Sequence, residues 1–236
     1  MIFCAIVVAA GRGERFGQPK QLVDVAGRPL AAWSLATFGA MSELDDLVIA
    51  TEPQTLEAFE HLAREFAPRL RVRVVAGGAT RQQSVGRALV AVPEHCAAVL
   101  VHDGARPLIV AADVRAGMAV TANGIGAMLA APVVDTIKVV APGSHSVTRT
   151  LDRAELWAAQ TPQFAMLADM RAAYAGAAAV GFEATDDAML LERAGCRVVV
   201  VPASGENFKV THAGDRDRAE IILQRRVGVP ASGVPG

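Results

Sequence analysis

Glycine and cations crowd one short stretch near the start of the chain: Gly11-Arg12-Gly13-Glu14-Arg15-Phe16-Gly17-Gln18-Pro19-Lys20. Glycine lets backbone N–H groups approach an anion closely, and successive N–H groups in a tight turn make a concave anion site. Arg15 and Lys20 add positive charge to it. That chemistry suits phosphate. Two further stretches offer partners. In Gly77-Gly78-Ala79-Thr80-Arg81-Gln82-Gln83-Ser84, the glycines allow a tight turn, Thr80 is a candidate helix cap, and Arg81 and Ser84 follow within one helical turn. In His102-Asp103-Gly104-Ala105-Arg106-Pro107, Asp103 could accept hydrogen bonds from a hydroxyl or bind Mg²⁺, and Arg106 could pair with it. His102 reads as structural.

Each stretch follows an apolar run. Ile2 to Ala10 is rich in β-branched residues and reads as a strand buried on both faces. Leu70 to Ala76 alternates as a strand before Gly77, and Ala97 to Val101 is apolar before His102. Between them, Pro29 to about Ala40 and Pro53 to Phe66 carry helical periodicity, and Asp46 to Thr51 is another strand. Gln21 to Arg28 is a connector with a turn at Gly27. This alternation predicts a parallel sheet covered on both faces, with the polar stretches gathered at its carboxyl edge.

Two nucleotide loops are excluded. The dinucleotide fingerprint needs glycine where Phe16 stands, which disfavours a dinucleotide-dependent oxidoreductase, and the P-loop needs Lys-Ser or Lys-Thr where Gln18-Pro19 stand. At 236 residues, one α/β domain is expected. A net charge of −1 argues against nucleic acid or an anionic membrane as partner. The three cysteines, Cys4, Cys96 and Cys196, are far apart in sequence and fit a reducing cytoplasm. The apolar start lacks a basic region ahead of it and no run is long enough to span a membrane, so neither a signal peptide nor a membrane anchor is expected. His61, His95, His145 and His212 show no ligand spacing along the chain, so no transition-metal site is expected.

Ala9-Ala10-Gly11-Arg12-Gly13-Glu14-Arg15 with Pro19-Lys20 resembles the A-A-G-x-G-x-R...P-K opening of nucleotidyltransferases that join a nucleoside triphosphate to a sugar or polyol phosphate. The G-G-x-x-R-x-x-S spacing of Gly77 to Ser84 resembles the base- and ribose-reading segment of cytidylyltransferases. With Asp103 and Arg106 in order behind them, the chain resembles the 2-C-methyl-D-erythritol 4-phosphate cytidylyltransferases. Asp135-Thr136-Ile137-Lys138, Thr150-Leu151-Asp152-Arg153, Leu156-Trp157 through Thr161-Pro162-Gln163, Thr185-Asp186 and Asn207-Phe208-Lys209-Val210-Thr211 are similar to that family's later segments. Thr185 also reads as a plain helix N-cap. The likeness runs from about Ile2 to about Gln224.

The resemblance implies a single-domain, mostly parallel Rossmann-like nucleotidyltransferase sheet over residues 1–225. A β-arm at about 136–160 projects from it, and a compositionally flexible tail, 226–236, follows. It implies transfer of a cytidylyl group from CTP, with Mg²⁺, to 2-C-methyl-D-erythritol 4-phosphate. Ala10, Gly11, Gly13, Gly78, Arg81, Ser84, Asp103 and Arg106 would form the nucleotide site. Asp103, Thr136, Arg153, Thr161, Thr185 and Lys209 would hold the polyol phosphate. Arg15, Lys20, Arg153 and Lys209 would be catalytic. The arm implies a homodimer in which Arg153 reaches the neighbour's site; an ordinary hairpin folded on its own domain is the other reading. Ribitol 5-phosphate is the alternative substrate, and a nucleotide-binding regulator without catalysis the alternative of another class.

Overall fold

The strand that opens the chain, β1 (Phe3–Val8), is buried along its whole length. The computed structural model describes residues 1–11 and 19–228. A short hairpin, β2 (Asp24–Val25) and β3 (Arg28–Pro29), turns through Ala26 and Gly27, both at positive φ (54° and 78°). Such φ values at both central positions suit a two-residue hairpin. Pro29 sits just ahead of α1 (Leu30–Gly39) as its N-cap rather than inside its first turn. β4 (Leu44–Thr51) follows, and a single 3₁₀ turn at Pro53–Thr55 precedes α2 (Leu56–Phe66), where periodicity alone ran the helix from Pro53. Then come β5 (Arg71–Ala76), α3 (Arg81–Ala91), β6 (Ala98–Asp103), α4 (Ala111–Thr121) and β7 (Gly126–Pro132).

Beyond β7 lies the arm, β8 (Lys138–Val140) paired antiparallel with β9 (Val147–Thr150) in a sheet of their own. β8 is shorter than the strand expected over 136–140. β10 (Trp157–Met166) then re-enters the main sheet, and α5 (Leu167–Ala179), α6 (Asp187–Arg193), β11 (Val198–Pro202) and α7 (Ala213–Arg226) complete the described fold.

The main sheet has seven strands in the order β11-β7-β10-β6-β1-β4-β5. All neighbours are parallel except β10, which runs antiparallel to both β6 and β7. Period-2 alternation divides β1 between two cores. Phe3, Ala5 and Val7 meet Leu35 and Phe38 of α1, Phe59 of α2 and Val114 of α4. Cys4, Ile6 and Val8 meet Val85 and Leu89 of α3 and Met170 of α5 on the other face. The sheet is thus covered on both faces, and the carboxyl ends of β1, β5 and β6 share one edge. No helix among the described residues is long and apolar enough to cross a membrane.

Candidate active site

The carboxyl ends of β1 and β6 and the start of α3 frame a pocket of about 240 Å³. It brings together Ala10, Gly11, Lys20, Arg81, Ser84, Asp103 and Lys209. Each arrives by a local device. Lys20 opens a 3₁₀ turn right after Pro19. Thr80 caps α3, its hydroxyl accepting the Gln83 N–H at 3.1 Å, which sets Arg81 on the first turn. The buried Ser84 hydroxyl donates to the Thr80 carbonyl (2.9 Å) and accepts the Gly78 N–H (3.0 Å), tying the glycine turn to the helix. A side chain at Gly77 would stand 2.4 Å from the Ala10 Cβ, so only glycine lets the two loops meet this closely. Gly78 lines the adjoining cleft of about 630 Å³ with Gly77 and Arg87.

Asp103, at the end of β6 and 6% exposed, is the electrostatic centre. Its Oδ1 accepts from Arg81 Nε at 2.9 Å and its Oδ2 from Lys209 Nζ at 2.8 Å. Burial alone would raise its pKa, but the charges of Arg81 and Lys209 overcome that and hold the carboxyl below the usual range. Arg81 in turn grips Asp187, at the start of α6, through Nη1 to Oδ1 (3.0 Å) and Nη2 to Oδ2 (2.8 Å). Burial would lower the guanidinium pKa, yet Asp187 and Asp103 raise it. The Tyr174 hydroxyl donates to the same Asp187 carboxylate. Desolvation, with Asp187 beside it, pushes that phenol up.

His102 lies behind Asp103 and is fully buried. Its Nε2–H donates to the Arg106 carbonyl (3.0 Å), which can only accept. Its Nδ1 therefore accepts, from the Thr161 hydroxyl at 3.1 Å, and that hydroxyl accepts the Asp103 N–H at 3.0 Å. Burial holds the imidazole down to about 4, so it is neutral and structural. The antiparallel register that sets Gln163 of β10 opposite Val101 of β6 brings Thr161 alongside Asp103.

Other expected residues stand elsewhere. Arg106 does not pair with Asp103, whose two oxygens are taken by Arg81 and Lys209. Its Nη1 donates to the Asn207 carbonyl (2.8 Å) and its Nη2 to that of Ala159 (3.4 Å), so it braces the loop bearing Lys209 against β10. Thr161 is buried beneath the pocket rather than lining it. Thr136 and Arg153 are exposed at the arm, where Arg153 Nη1 donates to the Val134 carbonyl at 2.9 Å. Thr185 is exposed, and the N-cap of α6 is Asp186, which accepts the Met189 N–H at 2.9 Å. Gly13 and Arg15 lie outside the described residues, as does 229–236 of the expected tail. Arg226 belongs to α7, where its side chain donates to the Leu108 carbonyl and to Glu206.

Sequence reasoning missed Asp187. The signal was there in a second acid directly after Thr185-Asp186, but only the fold shows that it faces Arg81. Among the described residues, the pocket presents Lys20, Arg81 and Lys209 against the carboxylate of Asp103, with Asp187 sealed below. Such a surface binds a polyanion and favours charge developing on phosphate oxygens.

The family model for 2-C-methyl-D-erythritol 4-phosphate cytidylyltransferase matches residues 3–225. A protein of Gloeobacter violaceus named 2-C-methyl-D-erythritol 4-phosphate cytidylyltransferase is 42% identical, over 94% of this chain and 96% of its own. Among solved structures, 4-diphosphocytidyl-2C-methyl-D-erythritol synthase from Anaerococcus prevotii superimposes with a TM-score of 0.85 at 26% identity, covering 95% of this chain and 99% of the other. The cytidylyltransferase of Thermus thermophilus gives a TM-score of 0.77 at 32% identity, covering 93% and 98%.

Proposed function

This chain belongs to the 2-C-methyl-D-erythritol 4-phosphate cytidylyltransferase family, and from that premise we propose the following function. The enzyme transfers the cytidylyl group of CTP to 2-C-methyl-D-erythritol 4-phosphate. The products are 4-diphosphocytidyl-2-C-methyl-D-erythritol and pyrophosphate, and the reaction serves isoprenoid precursor biosynthesis. The convergence of Lys20, Arg81 and Lys209 on one pocket with Asp103 is the observation that carries this reading.

The substrate phosphate attacks the α-phosphorus of CTP in line, and pyrophosphate leaves. A phosphate dianion is already a nucleophile, so no side chain need remove a proton. What the protein supplies is alignment of two polyanions and positive charge at the transferring and leaving groups. Lys20, with Arg15 of the same glycine loop, stabilises the transition state. Lys209 orients the attacking phosphate while Asp103 holds its ammonium in place. Arg81 and Ser84 shape the nucleotide side, beside a Gly77-Gly78 turn that leaves room for a pyrimidine. Thr136 and Thr185 remain proposed contacts of the polyol phosphate side, while Thr161 supports Asp103 from beneath. Mg²⁺ fits a site where, among the described residues, the Asp103 carboxylate lines the pocket beside a bound triphosphate, since it binds through one or two carboxylates plus substrate phosphates. Asp103 retains lone pairs for it beside its two cation bonds, and the ion would neutralise phosphate charge.

The arm supports a homodimer. Val140 and Val147 of the hairpin are 48% and 58% exposed, and Val134 and Trp157 at its base are exposed too, an apolar edge that a second copy would cover. In that dimer, Arg153 serves the partner's pocket. Residues 1–225 form one cytidylyltransferase domain. All three cysteines are free thiols, which suits a cytoplasmic enzyme. Phosphorus NMR of CTP, methylerythritol phosphate and enzyme tests the reaction. New diphosphate-ester resonances growing with pyrophosphate are expected, and unchanged CTP would refute it.

A further inference from the structure

At the opposite edge of the sheet from the pocket, the amino ends of the strands gather groups far apart in sequence. Asp46 near the start of β4 pairs in register with Cys4 of β1, and His95 and Cys96 immediately precede β6. We propose that Asp46, His95 and Cys96 bind a thiophilic divalent transition-metal ion of the zinc class, distinct from the Mg²⁺–nucleotide site.

The geometry carries this. The three ligand atoms lie within 4.8 Å of one another. Asp46 Oδ2 is 2.7 Å from His95 Nε2 and 3.6 Å from Cys96 Sγ, spacings that bound ligands around one tetrahedral ion adopt with little movement. Carboxylate, imidazole and thiolate together favour zinc over the hard ions magnesium and calcium. Three protein ligands leave a fourth position for solvent. Asp46 and Cys96 are buried, whereas the His95 side chain is 48% exposed, so an ion enters past the imidazole.

A cation already occupies part of this place. Arg71 Nε donates to Asp46 Oδ1 (3.1 Å) and its Nη2 to Oδ2 (2.7 Å), with Nη2 also 3.4 Å from His95 Nε2. The Arg71 side chain is 63% exposed, so Nη2 can yield Oδ2 to a metal while Nε keeps Oδ1. On binding, the Cys96 thiol proton passes to solvent and the sulfur bonds the metal. His95 moves its proton to Nδ1 and offers the Nε2 lone pair. Spacing along the chain hid the site because Asp46 comes from a different strand.

Cobalt(II) added to the full-length, nucleotide-free protein tests the proposal, because a thiolate bound to cobalt gives a near-ultraviolet charge-transfer band. The band should saturate at one equivalent and be bleached by zinc. His95→Ala, at a half-exposed position that leaves the core intact, should weaken cobalt binding by roughly tenfold or more. Cys96→Ser should abolish the band and Cys196→Ser leave it, while Arg71→Ala, which removes the competing cation, should tighten binding. No band in folded wild type, or a band unmoved by His95→Ala, would overturn the site and leave Asp46, Arg71 and His95 as an ion-pair cluster only.

Discussion

Arg81 and Asp187 stand 106 residues apart in sequence and form a two-pronged ion pair, Nη1 to Oδ1 at 3.0 Å and Nη2 to Oδ2 at 2.8 Å. This pair fixes the guanidinium whose Nε reaches Asp103 in the pocket. The nucleotide side of the site therefore rests on a carboxylate that never touches the pocket itself.

Asp187→Asn should destabilise the fold by about 3–5 kcal/mol, the usual cost of stranding one partner of a buried pair. It should also lower kcat/KM for CTP by roughly tenfold, because Arg81 loses its anchor. The double variant Arg81→Met with Asp187→Leu should regain stability in urea unfolding without regaining activity. Wild-type stability and kinetics in Asp187→Asn would show that Asp103 alone positions Arg81.

Lys20→Ala should lower kcat by about 10²–10³, typical of removing one electrostatic stabiliser. Lys20 lines a polar pocket rather than either core, so its truncation opens no cavity. Melting should stay at the wild-type temperature. A variant that turns over near the wild-type rate would mean that Lys20 does not act on the transferring phosphate.

His102 gives stability a pH dependence of definite sign. Its folded pKa, about 4, lies below the ordinary histidine value near 6.5. Between those values the unfolded chain binds a proton that the folded chain refuses, so stability falls as pH drops from about 6.5 towards 4. The full loss is about 3 kcal/mol at 1.36 kcal/mol per unit. Asp103, depressed in the fold, adds to the loss below about pH 4. Urea unfolding of wild type against His102→Gln from pH 7 to 4.5 checks this. Parallel pH profiles for the two proteins would contradict it.

Much of this was legible in the sequence where the cause is local. The burial of β1, the Thr80 cap and the gathering of Lys20, Arg81 and Asp103 follow from short-range pattern plus a parallel sheet, whereas Lys209 was legible only through the family resemblance. Pairing chosen by the fold was not legible. Nothing near Trp157–Met166 says that it inserts antiparallel between β6 and β7. Arg106, read as a nucleotide contact or a partner for Asp103 three residues away, takes neither role in the fold: its backbone N–H donates to the Asp103 carbonyl and its side chain turns to Asn207 and Ala159. At Thr185-Asp186-Asp187, the reading of Thr185 as the N-cap falls one residue short of the observed cap, Asp186. Only the packing of α6 against α5 shows which acid caps and which meets Arg81.

The proposed sharing of Arg153 across the dimer predicts complementation. Inactive Arg153→Ala chains mixed with inactive Lys20→Ala chains, under conditions that exchange subunits, yield mixed dimers with one site lacking both residues and one site intact. Activity should return to about half per mixed dimer if one site works alone. No recovery in verified mixed dimers would place Arg153 in its own subunit's site or outside catalysis.

The most direct test of the account is steady-state pyrophosphate release from CTP and Mg²⁺, comparing 2-C-methyl-D-erythritol 4-phosphate with ribitol 5-phosphate. The account predicts turnover with methylerythritol phosphate at a kcat/KM at least about 10² above that with ribitol phosphate, a difference of roughly 3 kcal/mol in transition-state binding. Equal or faster release with ribitol phosphate, or none with either, would contradict it.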